Sequence, residues 1–179
     1  MIIRNEALAD VDAITDVTTR AFETPAYSSH TEQFIVLALR RAGALTISLV
    51  AEVDGRVVGH VAISPVSISD GSSGWFGLGP VSVEPDLQRQ GIGSALITEG
   101  LSRLRAVRAK GCFLVGSPAY YGRFGFAKVP GLVYADVPEE VSLALPLDGP
   151  VPQGTVQFHE AFEATARRSN RRKGRIVGA

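Results

Sequence analysis

Apolar residues recur along this chain at two different spacings, and the switches between those spacings divide it into elements. Ile2–Arg4 reads as a short strand. Leu8, Val11, Ile14 (or Thr15) and Thr18 then follow at helical spacing, with Phe22 closing the face, which predicts a helix over about residues 8–22. ETPAYSS is rich in turn formers. A second helix starts at His30 or Thr31, runs through TEQFIVLALRRAG and is ended by Gly43. LTISLVAEVDGRVVGHVAISPVSI contains two apolar, β-rich runs joined by Asp54-Gly55, the signal of a tight hairpin. After the polar loop SDGSSG comes a further strand, WFGLGPVSVEP. Its Pro80 cannot donate to a ladder, so this strand must lie at an edge or carry a bulge.

The next periodic run, Gly91 to Ala109, predicts a helix with Leu96, Ile97, Leu101, Leu104 and Val107 on one face. CFLVG reads as a short buried strand, and SPAYYGRFGF as a short helix or turn ending at Gly125. FAKVP continues extended, because Val129 precedes a proline. VSLALPL and GTVQFHEAF are two more strands. The order predicts an α/β protein with a mixed, mostly antiparallel sheet flanked by helices. The later strand–helix–strand unit supplies one right-handed parallel crossover. No internal repeat interrupts the order, so residues 1–166 are expected to form one domain, and the basic end, RRSNRRKGRIVGA at 167–179, a frayed or disordered tail.

Composition narrows the classes. Of the 179 residues, 45% are hydrophobic and 20% charged, the balance of a globular chain rather than a disordered one. Basic and acidic residues number 18 each, which gives general attraction to nucleic acid little support. The single cysteine, Cys112, excludes an internal disulfide and a four-cysteine zinc site, and fits a reducing cytoplasm. No apolar run reaches membrane-spanning length. Arg4, Asn5, Glu6, Asp10 and Asp12 break any signal-peptide pattern, so a soluble protein is expected.

The most informative stretch is DLQRQGIGSAL. Its helix start holds Gly91 and Gly93, each costing about 1 kcal/mol against alanine in a helix interior. No acidic side chain complements the dipole there. Such a start suits an external anion: first-turn amides have no internal partners, and glycine removes the Cβ atoms that would block close approach. The amides of Arg89, Gln90, Gly91, Ile92, Gly93 and Ser94, with the Arg89 side chain, can cradle a diphosphate. A dinucleotide-binding glycine loop does not fit, because Leu96 takes the third glycine position and seven residues separate Val83 from Gly91. A P-loop fails as well, since no Gly-Lys-Ser/Thr follows.

Gln88-Arg-Gln-Gly-Ile-Gly93 resembles the Q/R-x-x-G-x-G/A signature of the GNAT superfamily of N-acetyltransferases. Tyr121-Gly-Arg-Phe-Gly-Phe126 resembles the Tyr-x-x-x-Gly-Phe element that follows the next strand there. With GLGPVSV and SPAYYGRFGF, the set is similar to the bacterial YhbS-like predicted acetyltransferases. The resemblance implies acetyl-CoA as co-substrate, no metal, an amine acceptor and a splayed strand at the CoA site. Val81, Ser82 and Val83 would hold the pantetheine arm as an added strand. Gln88, Arg89, Gln90, Gly91, Ile92, Gly93 and Ser94 would hold the diphosphate, a backbone amide near Val81 the oxyanion, and Tyr121 would protonate the sulfur. An aromatic core cluster of Tyr120, Tyr121, Phe124 and Phe126 is the alternative reading of that tyrosine.

The pattern departs from its relatives in two places. Leu114 and Ser117 stand where many carry Asn and Ala, and Gly77 stands where some protein-acetylating members carry a carboxylate base. Glu52, His60, Glu84 and His30 remain open as the base. The acceptor cleft is expected between ETPAYSSH and VSLALPLDGPVPQGTVQFHE, with Glu23, Tyr27, His30 and His159 as candidate recognition residues. The expected activity is acetyl transfer to a primary amine of a small molecule, peptide or protein. A non-catalytic acetyl-CoA-binding regulatory module is the alternative, and exposed edge strands permit a homodimer.

Overall fold

In a computed structural model, residues 1–166 are described; the basic segment 167–179 lies outside them. The predicted elements form with altered boundaries. Strand β1 (Ile2–Asn5) leads through a 3₁₀ turn, Leu8–Asp10, into helix α1 (Val11–Ala21). The turn rotates the buried face, so Leu8 is 90% exposed while Ile14, Val17, Thr18 and Ala21 are buried. Helix α2 (Glu32–Arg41) follows, then strands β2 (Ile47–Val53), β3 (Arg56–Ile68) and β4 (Trp75–Val83).

Helix α3 spans Ile92–Ala106 and stops short of Ala109. Arg108 adopts positive φ and the Ala109 N–H folds back onto the Leu104 carbonyl, which leaves Val107 beyond the helix and 58% exposed. Strand β5 (Gly111–Val115) and short helix α4 (Pro118–Tyr121) come next. Within 126–130, expected to run extended, only Ala127 pairs, with Ala144. Strands β6 (Leu132–Tyr134), β7 (Ser142–Pro146) and β8 (Gly154–Phe158) complete the sheet.

The central strands run β1-β2-β3-β4-β5-β7, antiparallel except for β4 beside β5, where α3 makes the crossover. The three-residue β6, which shows no period of its own in the sequence, pairs in parallel with β8. β8 in turn borders the far end of β3 through Val66–Ile68. One sheet face packs on α3 through Leu49, Val61 and Ile63 against Leu96, Ile97 and Leu104. The other receives α1 and α2 through Ile14, Val36 and Val50. Among the described residues, no helix is long and apolar enough to cross a membrane.

Two features of β4 position the site. Its pairing with β5 covers only Trp75, Phe76 and Gly77, after which β5 continues beside β7 alone and β4 splays away. On its other side the register slips: Val61 faces Val81, but Ile63 faces Leu78, so Gly79 and Pro80 form a bulge, one of the two arrangements the proline allowed.

Candidate active site

The splay opens a cleft of about 1440 Å³ between β4, the start of α3, α4 and the segment joining α1 to α2. The free half of β4 turns its backbone into this space. Glu84 N–H bonds to the Val58 carbonyl at 2.9 Å, on the β3 side. Peptide groups alternate along a strand, so Ser82 also faces β3 while Val81 and Val83 face the cleft. Gln88 Nε2 on the Val83 carbonyl, at 3.2 Å, marks that side. Ser82 is placed differently from the expectation: its side chain is buried and its hydroxyl lies 3.1 Å from that of Thr18.

The loop after β4 delivers the chain to α3 through two left-handed residues, Arg89 (φ 61°) and Gly91 (φ 89°). The first helical bond runs from Ala95 N–H to the Gly91 carbonyl, so the amides before it point out of the helix end. The two glycines serve different needs. A Cβ at Gly91 would meet no protein atom within 4 Å, whereas one at Gly93 would lie 3.1 Å from Tyr120 Oη. Gln88, Arg89, Gly91, Gly93 and Ser94 line the cleft. Ile92 buries its side chain in the core, and Gln90 turns back to the Asp86 carbonyl.

Helix α4 presents Tyr120 and Tyr121 on the opposite wall. Their rings meet edge to face at 4.9 Å, and Tyr121 also packs against Phe126. Tyr121 thus belongs to an aromatic cluster and also lines the cleft. Burial, with Tyr120 and Tyr27 adding, pushes its phenol up to about 12. Ser117, at a departure from the family pattern, begins α4 by accepting the Tyr120 and Tyr121 N–H groups on its carbonyl. Leu114, the other departure, is a core side chain.

The base candidates fall elsewhere. Glu52 pairs with Arg4, and Glu84 with Arg20. His60, on β3, is fully buried; its Nε2 lies 2.8 Å from Ser48 Oγ and burial holds its pKa below the ordinary value. His30 and His159 spend Nδ1 on backbone groups, of Phe22 and Ala161. None of the five lines the cleft, nor does Glu23. Gly77 has a packing reason. A Cβ there would lie 2.3 Å from Phe158 Cε1, so the ring of β8 fills the place a carboxylate would need. Of the recognition candidates, Tyr27 alone lines the cleft, joined by Glu32, Phe22 and Phe162, which sequence reasoning missed. Each of those three reads as an ordinary helix or core position in its own segment.

Residues 3–129 match the family model described as Acetyltransferase (GNAT) domain. The chain belongs to the GNAT acetyltransferases. It is 38% identical over 127 residues to the N-acetyltransferase YhbS of Escherichia coli (strain K12), covering 70% of this chain and 73% of that protein. A crystal structure of a GNAT family acetyltransferase from Brucella melitensis in complex with acetyl-CoA is 48% identical. It superposes with a TM-score of 0.81, over 90% of this chain and 97% of that one. Escherichia coli YhbS in complex with CoA matches with a TM-score of 0.82 at 33% identity, over 91% and 92%. The splayed β4, the glycine helix start and the tyrosine of α4 thus lie in a GNAT acyltransferase domain.

Proposed function

We propose that the cleft binds acetyl-CoA and passes its acetyl group to a primary amine by direct attack on the thioester. The observation that carries this reading is continuity. Cleft-facing backbone at Val81 and Val83 runs within one cleft into outward-pointing amides at the start of α3. An amide-bearing arm ending in a diphosphate matches that sequence of partners: strand edge first, anion cradle second. The open space beyond the Gly91 Cα leaves room for phosphate oxygens. Structures of two relatives in complex with acetyl-CoA or CoA support the same ligand here.

Acetyl-CoA supplies the thioester. In the proposed step the amine nitrogen bonds to the carbonyl carbon, and the Val81 N–H, aimed into the cleft, donates to the developing oxyanion. As the C–S bond breaks, Tyr121 gives its hydroxyl proton to the departing thiolate, and the proton lost by the nitrogen passes to solvent, from which the tyrosinate is reprotonated. At this raised pKa Tyr121 is in its protonated, donating form across the working range.

A thiol-release assay over an amine panel tests the reading. Tyr121→Phe should lower kcat about 10²- to 10⁴-fold, the usual share of general acid catalysis, with CoA affinity unchanged. Unchanged turnover would remove Tyr121 from the mechanism. Acetyl-CoA binding without turnover on any amine would support the non-catalytic module instead.

A further inference from the structure

Tyr120 has a fixed ring and an unused hydroxyl. The ring is held on three sides. The Arg123 guanidinium stacks 4.6 Å from its centre, the Tyr121 ring meets it edge to face at 4.9 Å, and Phe124 does so at 5.7 Å. Arg123 is tied in turn, because its Nε donates to the Tyr120 carbonyl at 2.9 Å. The phenol is therefore delivered to one place. Its hydroxyl has no hydrogen-bond partner among the described residues, yet it is not sealed from solvent. A half-buried phenol usually spends its O–H on the protein. This one keeps its donor free on the wall of the cleft.

The place is the junction between the two halves of the cleft. A Cβ built on Gly93 would lie 3.1 Å from Tyr120 Oη and 3.7 Å from Val83 Cγ2. Val83 ends the cleft-facing edge of β4, and Gly93 lies in the first turn of α3, before the first helical bond closes. Strand end, helix start and the α4 hydroxyl thus converge, and all three residues line the cleft. The absence of a side chain at Gly93 is what admits the hydroxyl: a methyl group there would crowd Oη, with the ring too tightly held to yield easily.

We propose that Tyr120 is a cofactor-binding residue whose O–H donates to the CoA phosphate that carries the pantetheine arm. The inference rests on the reading of the cleft as an acetyl-CoA site and adds to it a donor from the wall opposite β4. The order of partners selects the phosphate. The arm lies along Val81 and Val83, so the diphosphate begins where Val83 gives way to Gly93, and the hydroxyl stands at that point. A neutral donor facing an anionic oxygen makes a charge-assisted bond. Because the ring is already clamped, little side-chain freedom is lost when the ligand arrives. The neighbouring tyrosines divide the work: Tyr121 serves the sulfur end and Tyr120 the phosphate end.

The test is calorimetry with CoA and with dephospho-CoA, which keeps the diphosphate but lacks the phosphate on the ribose. Tyr120→Phe should weaken binding of both ligands about 10- to 150-fold, the loss of one charge-assisted hydrogen bond. In turnover it should raise KM for acetyl-CoA more than it lowers kcat, the reverse of the signature expected for Tyr121→Phe. Because the hydroxyl has no protein partner, the unliganded variant should melt with the wild type. Gly93→Ala, whose methyl displaces the hydroxyl, should cost the wild type more CoA affinity than it costs Tyr120→Phe. Four results would each overturn the inference: unchanged CoA affinity in Tyr120→Phe, a loss seen with CoA but not with dephospho-CoA, a lowered melting temperature without ligand, or simple additivity of the two substitutions. A wild-type protein that binds no CoA would instead refute the acetyl-CoA reading, and the inference with it.

Discussion

Replacing Gly91 by valine separates a glycine kept for backbone shape from one kept for a ligand. At φ 89° any L side chain is strained, at a cost of about 1–2 kcal/mol. For a domain of this size that lowers Tm by about 2–8 °C. Strain alone says nothing about CoA, so a matched control is needed. Gly43, after α2, has φ 66°, equally open surroundings and no place in the cleft. Gly43→Val should therefore lose similar stability while binding CoA normally. At Gly91 the new side chain enters the space assigned to diphosphate oxygens. Losing one charge-assisted hydrogen bond costs about 1.5–3 kcal/mol, which corresponds to about 10- to 150-fold weaker binding. Calorimetric titration with CoA, beside thermal melts of both variants, reads the two effects independently. Equal CoA affinity in Gly91→Val and Gly43→Val, with both destabilised, would refute the cradle.

Gly77→Ala should destabilise the fold by about 1–3 kcal/mol through overpacking against Phe158. Combining it with Phe158→Ala should recover part of that loss in denaturant melts; simple additivity of the two changes would show that the ring is not the obstacle. Acid should weaken the fold in two stages. His60 has a folded pKa below 6.5, so the unfolded chain binds more protons below that pH and stability falls as pH drops through it. Burial would raise the Glu6 carboxyl, but hydrogen bonds from Arg40, His60 and Ser48 together hold it well below its ordinary 4.5, adding a second loss below that value. Melting temperatures from pH 7 to pH 5 should therefore decline, and His60→Gln should flatten that decline. An unchanged slope in this variant would assign it elsewhere.

The order of the main elements and the glycine start of α3 were legible along the chain because both are local. Period-two and period-3.6 spacing, Asp54-Gly55 and the Gly91–Gly93 pair act within one or two turns of backbone. Pro80 called for an edge or a bulge in β4, since a missing N–H must be accommodated wherever the strand lies, and the structure takes the bulge. Tertiary structure decided what the neighbours of those features would be. It buried the β3 residue His60, tied Glu52 and Glu84 to arginines, and turned Ser82 toward Thr18. The pairing of β8 with β3 laid Phe158 on Gly77, an association of residues 81 positions apart that no local period encodes. Docking of the C-terminal turn on α2 likewise set Phe162 and Glu32 along one cleft. Local spacing fixes which backbone groups lack partners, while the partners that long-range packing supplies determine which side chains remain free for chemistry.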